Sequence, residues 1–132
     1  MNGYILCADT EVIADNKILG KPQDEQDAFN MLKQYSGKTH QVITSTGLLY
    51  NNYEKISMNM TLVTFSQMTD ENIRHYLISG NYRDKAGGYG IQSYIGQFIS
   101  SISGCFYSVM GLPLSTVREM LNDFYKYHEK NK

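Results

Sequence analysis

Gln41-Val42-Ile43-Thr44 and Leu62-Val63-Thr64-Phe65 stand on either side of Asn51-Asn52, and together they decide how this chain folds. Both runs carry β-branched residues, whose stiff side chains suit a pleated sheet. Asparagine tolerates the backbone of a tight turn. Residues 39–65 therefore predict two long strands around a turn at Asn51-Asn52. Working outward, Tyr4-Ile5-Leu6-Cys7-Ala8 is a short apolar run of the kind buried on both faces of a sheet, ending on Asp9-Thr10. Val12-Ile13 and Ile18-Leu19 flank Ala14-Asp15-Asn16-Lys17, which predicts a small hairpin. Gly20-Lys21-Pro22 breaks that pattern, and a helix follows with Asp24 near its start and Ala28, Met31, Leu32 and Tyr35 on one face.

Downstream of the long strands, Thr69-Asp70-Glu71 opens a second helix carrying Ile73, Tyr76 and Leu77, and Gly80 closes it. Residues 81–90 lack periodicity and read as an ordered glycine loop. Gln97–Ile102 and Phe106–Val109 read as a hairpin turning at Ser103-Gly104. Pro113 precedes a final helix with Val117, Met120, Leu121 and Phe124 at helical spacing, and the polar tail after Tyr127 is expected to fray. This order of elements is an α/β plan without regular βαβ alternation. Repeats, heptads and linkers are absent from the sequence, so residues 1–132 read as one domain.

The 132 residues, 42% hydrophobic and 19% charged, suit a folded globular chain with one core. A net charge of −1 gives no electrostatic basis for binding a nucleic-acid polymer or an anionic membrane. The stretch 86–116 is nearly uncharged but studded with Gly, Ser and Tyr, which excludes a membrane span. Met1-Asn2-Gly3-Tyr4 lacks the basic and apolar segments of a signal peptide. Cys7 and Cys105 form neither a disulfide framework nor a zinc pattern; they read as small buried hydrophobes in a reducing cytoplasm.

Asp9, directly after an apolar strand, either caps a turn beside Thr10 or binds Mg²⁺ or a water at the sheet's edge. Lys21 is either an ordinary surface lysine or a point charge for a phosphate oxygen. Asp84-Lys85-Ala86-Gly87-Gly88-Tyr89-Gly90-Ile91-Gln92 is the most informative stretch for function. Its glycines permit close approach of backbone N–H groups to a ligand, Lys85 suits a phosphate, and the Gln92 amide can both donate to and accept from a base edge. A glycine-rich bend with a surface Asp84–Lys85 pair is the plain alternative, and the stretch is not a Walker sequence. His40, His75 and His128 lack metal-ligand spacing and read as surface or helix-end residues. By themselves the residues indicate an anion site.

Five segments in register over nearly the whole chain resemble the Maf family of nucleotide pyrophosphatases. They are Cys7-Ala8-Asp9-Thr10-Glu11-Val12, Ile18-Leu19-Gly20-Lys21-Pro22, Leu32–Val42, Asp84–Gln92 and Val109-Met110-Gly111-Leu112-Pro113-Leu114. The resemblance implies an α/β fold with a mixed, strongly twisted sheet and flanking helices, of the kind shared with inosine triphosphate pyrophosphatases. It also implies hydrolysis of a nucleoside triphosphate to the monophosphate and pyrophosphate, with a divalent metal cation (Mg²⁺ or Mn²⁺) as cofactor. By position, Asp9 matches the family's proton acceptor, Lys21 and Lys85 its phosphate-facing lysines, and Thr10 and Gln92 positions tied to substrate choice. Tyr89-Gly90-Ile91-Gln92 looks like the branch acting on dTTP and UTP. The expected partner is the nucleoside triphosphate, and a homodimer is compatible with the resemblance.

The family pattern begins with a Ser-x-Ser-Pro-Arg-Arg loop, which has no counterpart among the eight residues before Asp9. The arginines are Arg74, Arg83 and Arg118, all far downstream. Asn81 stands where glutamate is usual, Ser93 where glycine follows Gln92, and Cys105 lies in the turn before Phe106. The chain is therefore expected to lack a bidentate phosphate clamp and to expose apolar surface on its sheet. A second reading follows: a catalytically silent Maf-like fragment, binding nucleotide weakly or serving as an oligomeric interaction module.

Overall fold

A computed structural model describes residues 3–131, so Met1-Asn2, the first half of the segment read as lacking a leader, lies outside the described residues. The predicted long hairpin is the centre of the sheet. β3 (Thr39–Tyr50) and β4 (Tyr53–Phe65) pair from Thr39↔Thr64 to Tyr50↔Tyr53, and Asn51 takes a left-handed φ of 48° in the turn. β1 (Ile5–Ala14) pairs with the other side of β3, β2 (Lys17–Leu19) with the end of β1, and β5 (Ile99–Ser103) with β4. The strand order is β2-β1-β3-β4-β5. The α/β class with flanking helices is as expected, but the sheet, expected to be mixed, is antiparallel in all four ladders of the described residues, because neighbouring strands are joined by hairpins or run back beside one another with no parallel crossover.

The register gives the sheet two unlike faces, because alternate side chains of a strand point opposite ways. His40, Val42, Thr44, Thr46 and Leu48 of β3 are all buried on one face. There α1 (Glu25–Tyr35) and α2 (Asp70–Ile78) deliver Leu32, Tyr35, Ile73 and Tyr76 onto Val12, Val42, Val63 and Phe65. Asp24 caps α1 by accepting from Asp27 N–H at 2.8 Å, and Thr69 and Asn72 form a reciprocal capping box on α2. At the far end of the same face, Met120 and Phe124 of α4 (Leu114–Lys130) pack on Leu48. The opposite face is open: Ile5, Ile56, Met58 and Met60 are each more than half exposed. The expectation of exposed apolar surface on the sheet is met there.

Several expectations need correction. The run Tyr4–Ala8 is not a doubly buried strand ending at Asp9; β1 continues through Asp9 to Ala14, and its first half is mostly exposed. Phe106–Met110 is a short helix, α3, rather than the second strand of a hairpin. Gly104 at φ 131° turns the chain over Thr61, Cys105 Sγ accepts from Ser108 N–H, and Gly111 at φ 113° ends the helix. That cap and stop outweigh the β propensity of Phe-Tyr-Ser-Val. β5 starts at Ile99 because Tyr94–Phe98 form 3₁₀ turns. Residues 128–130 do not fray as expected, since α4 runs to Lys130, and Lys132 lies outside the described residues. The cysteines are free and not buried: Cys7 lies exposed on the open face, and Cys105 is half-buried.

His40, read as a surface residue, is buried, 4% exposed, and stacks on Tyr35 with Nε2 2.6 Å from Tyr89 Oη. Its Nδ1 has no partner, so a second ring proton would be stranded in an apolar site. Burial accordingly pushes the imidazole down from 6.5 to about 4. Between those values the unfolded chain binds the extra proton and the folded chain does not, so stability rises with pH across the window. His40 thus stabilises the fold fully above pH 6.5, and up to roughly 3 kcal/mol is lost as pH falls toward 4. Thermal melts from pH 7 to 4.5 should show a steep loss of Tm that His40→Gln flattens; parallel curves for the two proteins would remove His40 as the cause.

Candidate functional site

Three separate segments converge on one pocket on the helix-covered face. β1 contributes Thr10, the glycine loop contributes Asp84, Lys85 and Gln92, and the end of α3 contributes Met110 and Gly111. The loop is held from below by the core. Tyr35 Oη donates to Gly87 O at 2.6 Å, and Tyr76 Oη donates to Gly88 O at 3.0 Å. Tyr35 and Tyr76 are fully buried, and burial raises both phenol pKa values, keeping each hydroxyl a donor. Gly87 N–H donates to Gly20 O at 3.0 Å, tying Gly20-Lys21 to the same loop.

Two glycines are required by space. At Gly87, φ is +74° and an added Cβ would lie 2.7 Å from both Tyr35 Oη and Val12 Cγ2. At Gly90, an added Cβ would meet the Lys85 stem at 2.6 Å and Gln92 Oε1 at 3.4 Å. Gly90 thus lets Lys85 lie across the backbone beside Gln92, with cation and amide at one mouth. Among the described residues neither Lys85 nor Lys21 has an ion-pair partner, the ion pair present being Lys33–Asp70.

The remaining sequence candidates are placed less simply. Lys21 is exposed at the flank of the loop and does not line the pocket. Asp9 follows its strand onto the open face, beside Cys7, Ser45 and Gly47, while Thr10 points to the helix-covered face. The two residues are linked by an open edge: β2 covers β1 only at Val12–Ala14, so through residues 5–11 β3 is the paired neighbour of β1. The pocket holds about 240 Å³, less than the roughly 300–1,000 Å³ of a whole small-molecule site. A nucleotide seated in it must extend past its rim. Arg74 and Arg83 stack on Phe29 and Tyr82 and do not line the pocket.

Among the described residues no group of three or more His, Cys, Asp or Glu side chains converges into a metal cage. Asp84 is the carboxylate at the pocket. A lone carboxylate fits Mg²⁺ or Mn²⁺ where the other ligands are water or phosphate oxygens, since such ions take one or two carboxylates.

Residues 1–124 match the family described as Maf-like protein. The chain belongs to the Maf family. Curated relatives share 46% identity with it: proteins named dTTP/UTP pyrophosphatase from Clostridium botulinum (strain Eklund 17B / Type B) over 124 residues, and from Bdellovibrio bacteriovorus over 122 residues. These matches cover 92% and 91% of this chain but 66% and 64% of the relatives' own lengths. The Maf motifs around Thr10, Lys85 and Gln92 thus meet in space, whereas the motif residue Asp9 faces the other side of the strand.

Thr44 and Ser108 lie buried behind Thr10 of this site and were not selected from sequence. Thr44 Oγ1 lies 3.0 Å from Thr10 Oγ1 and 2.7 Å from Ser108 O. Their signal was weak: Thr44 sits inside a β-branched run, and Ser108 inside what reads as a strand.

Gly87→Ala tests the loop anchor. Its Cβ would press on two buried side chains at a left-handed φ, so a loss of about 2–4 kcal/mol is expected. Gly20→Ala, which meets nothing within 4 Å, should stay within about 0.5 kcal/mol of the parent. Chemical denaturation of the two variants measures both, and equal stabilities would contradict the steric account.

Proposed function

We propose that this Maf chain binds a pyrimidine nucleoside triphosphate, dTTP or UTP, and hydrolyses it to the monophosphate and pyrophosphate. The convergence of Thr10, Lys85 and Gln92 on one pocket carries this reading. It is supported by the names of the relatives, dTTP/UTP pyrophosphatase. In the proposed pose the base lies between Thr10 and Gln92. Lys85 and, at the flank, Lys21 meet the phosphates as mobile cations. The chain of phosphates passes round the open edge of β1 toward Asp9, one residue from Thr10 and so about 3.4 Å further along the strand.

Phosphoryl hydrolysis demands positioning and charge neutralisation more than covalent help. Asp9 orients the attacking water and accepts its proton; Asp84 would hold a divalent cation brought by the triphosphate. The chemistry such a cation would supply there is neutralisation of negative charge on the phosphate oxygens. Lys85 offsets the charge that develops on the leaving pyrophosphate. With two free thiols, Cys7 and Cys105, a reducing cytoplasm is the setting we propose.

A second reading is favoured by one observation, the open face bearing Ile5, Ile56, Met58 and Met60: a Maf-like module that binds nucleotide weakly and associates through that face, as in a homodimer. Pyrophosphate release separates the two. Under the enzymatic reading, dTTP and UTP turn over faster than ATP and GTP, and Asp9→Asn lowers turnover by ~10²–10⁴-fold without changing the melting profile. Absence of release from all four triphosphates, with weak binding retained, would favour the module. Gln92→Ala should narrow the gap between pyrimidine and purine substrates more than it lowers the overall rate. Equal rates on all four with the parent protein would exclude base reading by Gln92.

A further inference from the structure

Ser93 stands where a hydroxyl ordinarily caps a helix, and it is used differently. It is the N-cap residue of the 3₁₀ turns at Tyr94–Phe98, with φ −96° and ψ −174°, yet its side chain makes no capping bond to them. An N-cap serine normally accepts from the N–H groups ahead of it. Here Ser93 Oγ turns back and donates to Gly90 O at 2.6 Å, the same oxygen that receives Ser93 N–H at 3.0 Å. Residues 90–93 thus form a turn closed twice, once by backbone and once by side chain.

The peptide held in this way is the one on which the cation and the amide of the site meet. The Lys85 stem and Gln92 Oε1 both lie against Gly90, 2.6 Å and 3.4 Å from where a Cβ would stand. Three carbonyls of the loop are pinned by hydroxyls: Gly87 O by Tyr35, Gly88 O by Tyr76 and Gly90 O by Ser93. Ser93 also reaches Tyr76 itself. Burial raises that phenol pKa, and hydrogen bonds with Ser93 and the Gly90 backbone hold the rise back. Without the serine hydroxyl the turn keeps its single backbone bond, and glycine at its head offers little resistance to rotation of the peptide. Such a rotation carries the exposed Gln92 with it.

We propose that Ser93 is a positioning residue for this site: by pinning Gly90 O it holds Gln92 beside the Lys85 stem, so that the amide and the cation receive a nucleotide as one preformed wall. This rests on the nucleotide-binding reading given above and is independent of which base edge meets Gln92. A wall already ordered before the ligand arrives spares binding the loss of freedom that a loose turn would suffer. One neutral hydrogen bond is worth about three- to tenfold in such an equilibrium.

The test is calorimetric binding of α,β-methylene UTP with Mg²⁺, a nucleotide whose bridging carbon resists hydrolysis. Ser93→Ala should weaken binding about three- to tenfold. Ser93→Thr keeps the hydroxyl, and its branched side chain suits the extended backbone at residue 93, so it should bind within about twofold of the parent. In a Gln92→Ala background the further change Ser93→Ala should weaken binding by less than about twofold, because the group that Ser93 positions is already gone. Parent-like binding by Ser93→Ala overturns the proposal. So does an equal loss in Ser93→Thr, or the full loss repeated without Gln92, which is what a merely structural role would give.

Amide hydrogen exchange gives a readout that needs no nucleotide. The N–H of residue 93, bonded to Gly90 O, should exchange about three- to tenfold faster in Ser93→Ala once corrected for the changed side chain. Gly87 N–H, bonded to Gly20 O, should keep its parent rate. Equal protection of residue 93 in the two proteins overturns the anchoring, and so does a speeding of both amides alike, which marks general loosening. If the parent binds no nucleotide, the reading of the site fails, and the exchange rates still decide whether Ser93 holds the turn.

Discussion

Tyr35 is fully buried, yet its hydroxyl must find an acceptor, because an unpaired polar group in the core costs about 1–3 kcal/mol. The acceptor it finds is Gly87 O, at 2.6 Å. From that contact the rest of the site follows. The carbonyl must come down to the core, so the chain above it cannot carry a side chain, and glycine stands there with a left-handed backbone. Tyr76 repeats the arrangement at Gly88 O, and Tyr89 returns into the core to meet His40. The loop that presents Lys85 and Gln92 is thus anchored from beneath by three tyrosines and a histidine. These contacts give the order expected of the glycine loop its physical cause.

The other wall is built by the sheet. Thr10 and Thr44 are cross-strand partners on β1 and β3, and α3 lowers Ser108 O onto them. Here secondary structure decides chemistry directly. Had residues 106–109 continued as a strand, the carbonyl of Ser108 would have gone to a ladder. As a short helix, stopped by Gly111, the segment points that oxygen at the buried hydroxyl of Thr44. The buried Thr44 hydroxyl has one proton, and it goes to Ser108 O, the closer of its two oxygen neighbours.

The sheet's two faces divide the family motifs between them. Thr10, Lys85 and Gln92 share the helix-covered side, and Asp9 lies on the open side, which also carries Ile56, Met58 and Met60 of β4. Among the described residues, the half of β1 left uncovered by β2 is a free sheet edge between those two faces.

Local chemistry in the sequence was enough to determine the long hairpin, the caps at Asp24 and Thr69, the Asp15-Asn16 turn, the helical stripe from Val117 to Phe124, and the glycine loop with its lysine and glutamine. Each of these depends on neighbours a few residues apart: alternation, capping oxygens, positive φ. Burial of His40, the strand running past Asp9, and helix rather than strand at Phe106–Met110 were decided only in three dimensions. In each case the deciding partner is remote in the chain: Tyr89 for His40, the whole length of β3 for Asp9, Thr61 and Thr44 for the residues around Ser108. The face on which Asp9 stands could not be read from a motif that lists it beside Thr10, because adjacency along a strand puts side chains on opposite sides. Which proton each threonine gives away follows from distances between residues 34 and 64 positions apart, and only the folded chain brings those oxygens together.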